Sequence, residues 1–382
     1  MTRVKYVVIL LSLLTFLLTG CWDNGEVQEI NYLTAFGIDF RDGEYYIYAQ
    51  MLDYQGISGP EGSVPSSQPP IWVGKGRGKT LAEATKKLYT TSQQKLSWSQ
   101  ITALVLSESM LTHERIRDVI DKSNRTEDIS YTKWVYGTKE NIEELFTSTP
   151  FVGMSPLRTL LHQPMINYSQ NSFIHPLQYV DFLVHYREKA GTVVLPSLAI
   201  TTSNWTEGMK EHPILEIDGA FMLKDNENKG WLKLEDILGI RWLKGPATRA
   251  TILVGPMDDP VGLVRLVSPR SVIGFEPTTD GVKYRLKVKV IGKVVNLYKQ
   301  VPIDEFKKLT RDVFKKELIS TFRKTTPQHG DPYQLSLSLY QKNPKLWNKL
   351  QKEGKSVTAE SLDERDIQVD IDLRLWGARK HP

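Results

Sequence analysis

Gly78-Lys79-Thr80, preceded by Gly74 and Gly76 and followed by Leu81-Ala82-Glu83-Ala84, has the residue types of a phosphate-binding loop. Such a loop wraps a phosphate in backbone amides and needs a glycine, four residues, then Gly-Lys-Ser/Thr. Val73 stands where that glycine must be, and Gly74 is one residue too close. Gly74-x-Gly76-x-Gly78 also misses the Gly-x-Gly-x-x-Gly spacing of dinucleotide folds. A structural explanation fits better. Thr80 caps a helix, Glu83 reaches back as in a capping box, and the glycines supply a turn out of a strand. No nucleotide is expected.

Cys21 is the second candidate. It is the only cysteine, which excludes an internal disulfide and a cysteine-based zinc site. It follows Leu18-Thr19-Gly20 at the end of an apolar run, Tyr6 to Leu18, that Arg3 and Lys5 precede. The run is too short to span a bilayer as a helix, which takes about 20 apolar residues, and it suits a secretory signal peptide. Small residues before the cut and a thiol after it look like a bacterial lipobox, with Cys21 accepting a diacylglyceryl group. Two acyl chains give stable anchoring where one does not.

Other chemistry is absent or weak. The histidines, at 113, 162, 175, 185, 212, 329 and 381, are scattered, and none lies four residues from another. There is no Gly-x-Ser-x-Gly nucleophile elbow. Asp225 and Asn226 hint at a calcium loop, but Lys229 occupies a ligand place, so a turn is expected. Asn124, Asn167 and Asn204 begin Asn-x-Ser/Thr triplets that have no expected role in a bacterial lipoprotein. The formal charge of +5 falls to +3 without Arg3 and Lys5, too mild to point to nucleic acid.

The elements that would position these residues alternate. Strands are expected at 34–40, 45–53, 71–74, 100–107, 129–136 and 191–200, and helices at 81–92, 113–122, 139–146 and 177–187. Residues 23–26 read as a capped helical start, and 54–70 as an exposed Gly/Pro/Ser loop. Strands at 214–223 and 230–234 flank a polar hairpin tip. Val282 to Val290 alternates, with Lys283, Arg285, Lys287 and Lys289 facing outward. Residues 304–324 form an amphipathic helix with Phe306, Leu309, Val313, Leu318 and Phe322 on one stripe. Shorter helices at 333–341 and 344–350 precede a strand at 367–375.

The expected fold class is α+β and multidomain. A signal peptide at 1–20 precedes an N-terminal mixed α/β domain at 21–205 and a C-terminal α+β region at 206–382. The latter divides into a hairpin-led part, 206–265, and a sheet with one long helix, 266–382. The basic row of Lys283, Arg285, Lys287 and Lys289 reads either as a solvated sheet face or as a face that meets anionic headgroups or an acidic partner.

Taken together, "LLTGCWDNGEVQEINYLTAFGIDF" (17–40), "GKTLAEATKKL" (78–88), "LEIDGAFMLKDNENKGWLKLEDILGIRWLKG" (215–245), "WNKLQKEGKS" and "DIQVDIDLRLWG" resemble the Ger(x)C lipoproteins. These are the C subunits of nutrient germinant receptors in endospore-forming bacteria. The Gly/Pro/Ser loop at 54–70 departs from the family pattern. The resemblance implies three mixed α/β domains and no catalytic residue. It implies no cofactor beyond the lipid on Cys21. It also implies partnership with a polytopic A subunit and a permease-like B subunit at the outer face of the spore inner membrane. A substrate-binding lipoprotein of a transporter shares the lipobox and size and is the alternative. A lipid-anchored hydrolase lacks any motif.

Overall fold

The computed structural model describes residues 30–52, 70–125, 130–151, 154–243, 249–358 and 362–375. The expected signal peptide, the helical start at 23–26 and all but the last residue of the loop at 54–70 lie outside them.

In chain order the first half contains β1 (Ile30–Arg41), β2 (Glu44–Leu52), β3 (Ile71–Gly78), α1 (Leu81–Thr91), β4 (Lys95–Ser97), β5 (Ala103–Ser107), α2 (His113–Arg125), β6 (Trp134–Thr138), α3 (Ile142–Thr147), α4 (Pro164–Gln170), α5 (Tyr179–Arg187) and β7 (Thr192–Thr201). A small hairpin, β8 (Thr206–Glu207) and β9 (Lys210–Glu211), leads to β10 (Ile214–Lys224) and β11 (Glu227–Lys233). Then come β12 (Ala250–Val254), β13 (Gly262–Pro277), β14 (Val282–Leu297), α6 (Ile303–His329), α7 (Leu335–Lys342), α8 (Pro344–Lys352) and β15 (Ile367–Leu375).

Nine strands form one mixed sheet in the order β11-β10-β7-β6-β5-β1-β2-β3, with β4 beside the start of β1. The β1, β5, β6 and β7 strands run parallel, as their helical crossovers require. The Asp42-Gly43 turn into β2 has positive φ at both residues, the conformation that suits a two-residue hairpin. Helices α1, α2 and α5 cover one face of this sheet around Ile38, Ile47, Leu106, Phe182 and Leu195. On the other face, α3 and the 160–161 segment close a smaller core with Tyr136, Ile142 and Phe146.

The second sheet runs β12-β13-β14-β15, with β14 and β15 parallel. Strand β14 alternates as expected: Val282, Tyr284, Leu286, Val288 and Val290 are buried and the intervening cations are exposed. Its buried face meets α6. The buried stripe of α6 is Phe306, Phe314, Leu318, Ile319 and Phe322. Leu309 and Val313, assigned to that stripe from the sequence, only flank it, partly buried. Each fully buried phenylalanine or leucine contributes roughly 1.5–3 kcal/mol, so Phe314 is a main anchor of this helix.

Strands β4, β8, β9, β12 and β13 lie in stretches where the sequence reading places no strand. Strand β13 carries a bulge at Ser268–Pro269, where the register to β14 slips and Ser268 takes a positive φ. Val264 and Leu266 face inward before the bulge, and Ile273 and Phe275 after it. One extra residue switches the inward phase and erases the period that a reader would look for. The β10–β11 hairpin turns at Asp225-Asn226, both at positive φ, so its tip is two residues rather than six. Strand β10 pairs with β7, which makes the hairpin part of the larger sheet. Its two faces serve different cores. Phe221 and Leu223 pack with the first sheet's helices, and Ala220, Met222 and Leu232 pack with α6 and the second sheet.

Candidate functional site

The glycine-rich joint is a strand–helix contact. Residues 74–78 stay in β3, paired with β2 from Tyr45–Gly78 to Leu52–Ile71. The glycines therefore do not turn the chain out of a strand ending at Gly74, as expected from the sequence; the strand continues to Gly78. None of the three takes a positive φ. Their role is close approach. A Cβ on Gly76 would sit 2.0 Å from the Ala84 carbonyl oxygen, and one on Gly78 would sit 2.7 Å from the Ala84 nitrogen. Helix α1 therefore lies directly on the strand backbone. The Thr80 hydroxyl accepts from the Glu83 amide at 3.2 Å, as expected of the cap. The Glu83 carboxylate accepts from Lys79 N–H at 2.8 Å, one residue before the cap. The amides that would cradle a phosphate are thus used in a ladder and a cap.

Among the described histidines, His162 is the buried one, and it sits in a polar network. Its ring is 5% exposed and bridges two residues of the first sheet region. Nε2 lies 2.9 Å from Gln50 Oε1, and Nδ1 lies 2.6 Å from the Thr102 hydroxyl. The Gln50 amide nitrogen donates to the Phe146 carbonyl, which fixes its oxygen toward the ring. That oxygen also accepts from the Thr34 hydroxyl at 2.9 Å. With Nε2 carrying the proton, the Thr102 hydroxyl faces two acceptors, Nδ1 at 2.6 Å and the Thr34 carbonyl at 3.2 Å, and the nearer Nδ1 takes its proton. Burial pushes the His162 pKa down to about 3, so the ring is neutral at physiological pH. The network joins β1, β2, Thr102 ahead of β5 and the 160–162 segment.

A second buried cluster clamps α6. A 3-10 turn at Leu238–Trp242 presents Arg241, 3% exposed. Arg241 donates two hydrogen bonds to the Glu317 carboxylate at 3.0 and 2.9 Å, and Trp242 Nε1 donates a third at 2.7 Å. Gly239 completes the fit: a Cβ there would lie 2.4 Å from the Tyr333 hydroxyl. Asp331, fully buried, follows α6. Its Oδ2 accepts from Ser336 N–H at 2.7 Å, while burial raises its pKa.

The basic row is brought together on the face of the second sheet opposite α6. Lys283, Arg285, Lys287 and Lys289 are all exposed. Lys283 pairs with Asp366 at 3.1 Å, Arg285 with Glu276 at 3.0 Å and Lys289 with Asp370 at 3.9 Å. Arg270 and Val272 stand across from Lys289 and Lys287 on β13. Half-buried Leu253, Leu263, Val267 and Ile291 continue the face toward β12. Leu18, Thr19, Gly20 and Cys21 lie outside the described residues. Among those residues, no group of three His, Cys, Asp or Glu is placed to hold a metal ion, and no helix is long and apolar enough to cross a membrane.

Two family models meet on this chain. The spore germination protein N-terminal domain matches residues 23–200, and the spore germination B3/GerAC-like C-terminal domain matches 218–375. The chain belongs to the GerAC-like family of spore germination proteins. Spore germination protein KC of Bacillus subtilis (strain 168) is 22% identical over all of this chain and 98% of its own length. The putative spore germination protein YfkR of the same organism is also 22% identical, over 87% of each chain. The crystal structure of the GerBC protein superposes with a TM-score of 0.51 at 14% identity, covering 90% of this chain and 97% of that one. The fold class is the expected one, α+β in several domains. The segment 215–245 supplies the β10–β11 hairpin and then the turn whose Arg241 and Trp242 grip Glu317. Sequence reasoning missed this clamp and the His162 network, since their partners are 76 and 112 residues apart. A lone charged residue in an otherwise apolar turn was the available signal for Arg241.

Proposed function

We propose that this chain is a lipid-anchored, non-catalytic subunit of a nutrient germinant receptor, held on the outer face of the spore inner membrane by diacylglycerol on Cys21. It acts by docking with the receptor's polytopic and permease-like membrane subunits and needs no cofactor, nucleotide or nucleic acid. The observation that carries the reading is the match to spore germination families along both halves of the chain. The open face of the second sheet supports the docking role. It presents a row of four exposed cations beside half-buried Leu253, Leu263, Val267 and Ile291, on the side of the sheet opposite α6. An acidic partner surface complements it.

Deleting the chain tests the function. Germination in some individual nutrients should be lost; normal germination in every nutrient, in a strain without a paralogue, would remove the proposal. Reversing Lys283, Arg285, Lys287 and Lys289 to glutamate tests the face. Unchanged receptor assembly by a folded variant would show that docking occurs elsewhere. The transporter-binding alternative predicts ligand-induced thermal stabilisation of the soluble chain across a nutrient panel.

A further inference from the structure

The geometry points to one end of the nine-stranded sheet as a membrane-facing surface that rests on lipid headgroups. This rests on the lipid-anchor reading above and adds an orientation to it. Eight residues separate Cys21 from Ile30, so even a fully extended tether holds the start of β1 within roughly 30 Å of the acylated cysteine. Whatever surrounds that entry point is close to the bilayer.

The register identifies those surroundings. Leu33 pairs with Met51, and Met51 pairs with Trp72. At about 4.8 Å between strands, Trp72 lies about 10 Å to one side of β1, and it is 59% exposed. On the other side, Ala35 pairs with Ala103 and Ala103 with Trp134. Tyr131, three residues before Trp134, is 48% exposed and its carbonyl accepts from Val180 N–H. Helix α1 runs back along β3, with Ala84 at Gly76 and Leu88 at Gly74. Its last turn therefore carries Tyr89, 50% exposed, toward Trp72. Ile30 itself pairs with Lys95.

The entry point is thus ringed by Trp72, Tyr89 and Tyr131. Exposed Lys87, Lys95 and Arg125 stand at the same end with exposed Asp121 and Asp181, and exposed Asp225 and Glu227 lie further along that edge, on the β10–β11 turn level with Thr192. Exposed tryptophan and tyrosine are the side chains that settle at the headgroup level, and lysine and arginine beside them suit anionic headgroups. Tyr89 packs edge-on against Trp98 and Tyr131 stacks on Tyr179, and exposed Phe151 and Trp205 likewise pack on each other at 4.8 Å. Phe151 and Trp205 lie at the opposite end, where β6 and β7 finish and the β8–β9 hairpin carries fully exposed Met209.

Trp72→Cys, Tyr89→Cys, Tyr131→Cys and Met209→Cys, each made singly, test the orientation, since on the anchor reading Cys21 is acylated. Each is labelled with an environment-sensitive fluorophore, and the lipidated chain is reconstituted into phosphatidylglycerol-containing vesicles with a headgroup-level quencher lipid. Labels at 72, 89 and 131 should shift to the blue and lose fluorescence to the quencher, and the label at 209 should do neither. Equal response at all four positions, or response at 209 alone, overturns the orientation. Labels silent in lipid vesicles yet shielded in membranes that contain the other receptor subunits also overturn it, because the occupant is then protein. A Cys21→Ser chain is sedimented with vesicles in parallel. If it sediments as well as the lipidated chain, the anchor reading fails. Silent labels on a chain that does need Cys21 leave the anchor standing and overturn only the orientation.

Discussion

His162 makes the stability of this protein sensitive to mild acid, and the size of the effect follows from its surroundings. The ring is neutral in the folded chain, with a pKa near 3 caused by burial, and its ordinary value in the unfolded chain is about 6.5. As pH falls below the unfolded value, the unfolded chain takes up a proton that the folded one refuses. Stability is therefore full above about pH 6.5 and is lost progressively toward pH 3. Between pH 7 and pH 5 the loss from this one group is about 2 kcal/mol, one and a half pKa units of differential binding. His162→Gln retains hydrogen-bonding groups toward Gln50 and Thr102 but cannot titrate. The variant will be less stable at pH 7, and its stability will fall by about 2 kcal/mol less than wild type on going to pH 5. Urea unfolding of the unlipidated chain at the two pH values measures the difference. Parallel losses in the two proteins would refute the reasoning, and so would a wild-type His162 ring resonance that titrates near pH 6.

Other positions give independent checks. Glu317→Ala strands the Arg241 guanidinium in the core and should cost about 3–5 kcal/mol, seen as a large drop in thermal midpoint; Arg241→Met with Glu317→Leu should recover most of it. Gly76→Ala forces α1 off β3 and should cost about 1–3 kcal/mol, whereas Gly74→Ala, whose Cβ meets only the flexible Leu88 tip at 3.0 Å, should cost less; circular dichroism melts rank the two. Gly137→Ala would place a Cβ 2.4 Å from the Phe221 ring, and should destabilise comparably while leaving the far end of α6 unchanged in hydrogen exchange.

How much was legible depended on whether an element has one buried face. Strand β14, β15 and the inner turns of α6 were readable because a two- or nearly four-residue period survives along them. Strand β13 was not, because Ser268–Pro269 switches its phase midway. In β3 the glycines were visible but their purpose was not, because glycine signals a turn and a close backbone approach equally well. Thr80 and Glu83 were found because a cap is local in sequence. The His162 network and the Arg241 clamp were not, because each is assembled from residues that only the tertiary fold brings together. The four outward cations of β14 were placed correctly by alternation, but their pairing with Glu276, Asp366 and Asp370 depends on which strands become neighbours.

The β10–β11 hairpin has a mechanical consequence. It is hydrogen-bonded along ten register positions to β7, and its reverse side is packed under α6. Among the described residues, packing at this hairpin couples the sheet that β1 belongs to directly to the sheet that carries the basic row. The load path runs from β1 through β5, β6 and β7 into β10, and then through Ala220 and Met222 into the second core. The narrowest point of that path is β6–β7, paired at Gly137–Ser197, so a push applied at the Trp72 end reaches Lys283–Lys289 through that junction. The molecule is built as a strut between its two ends.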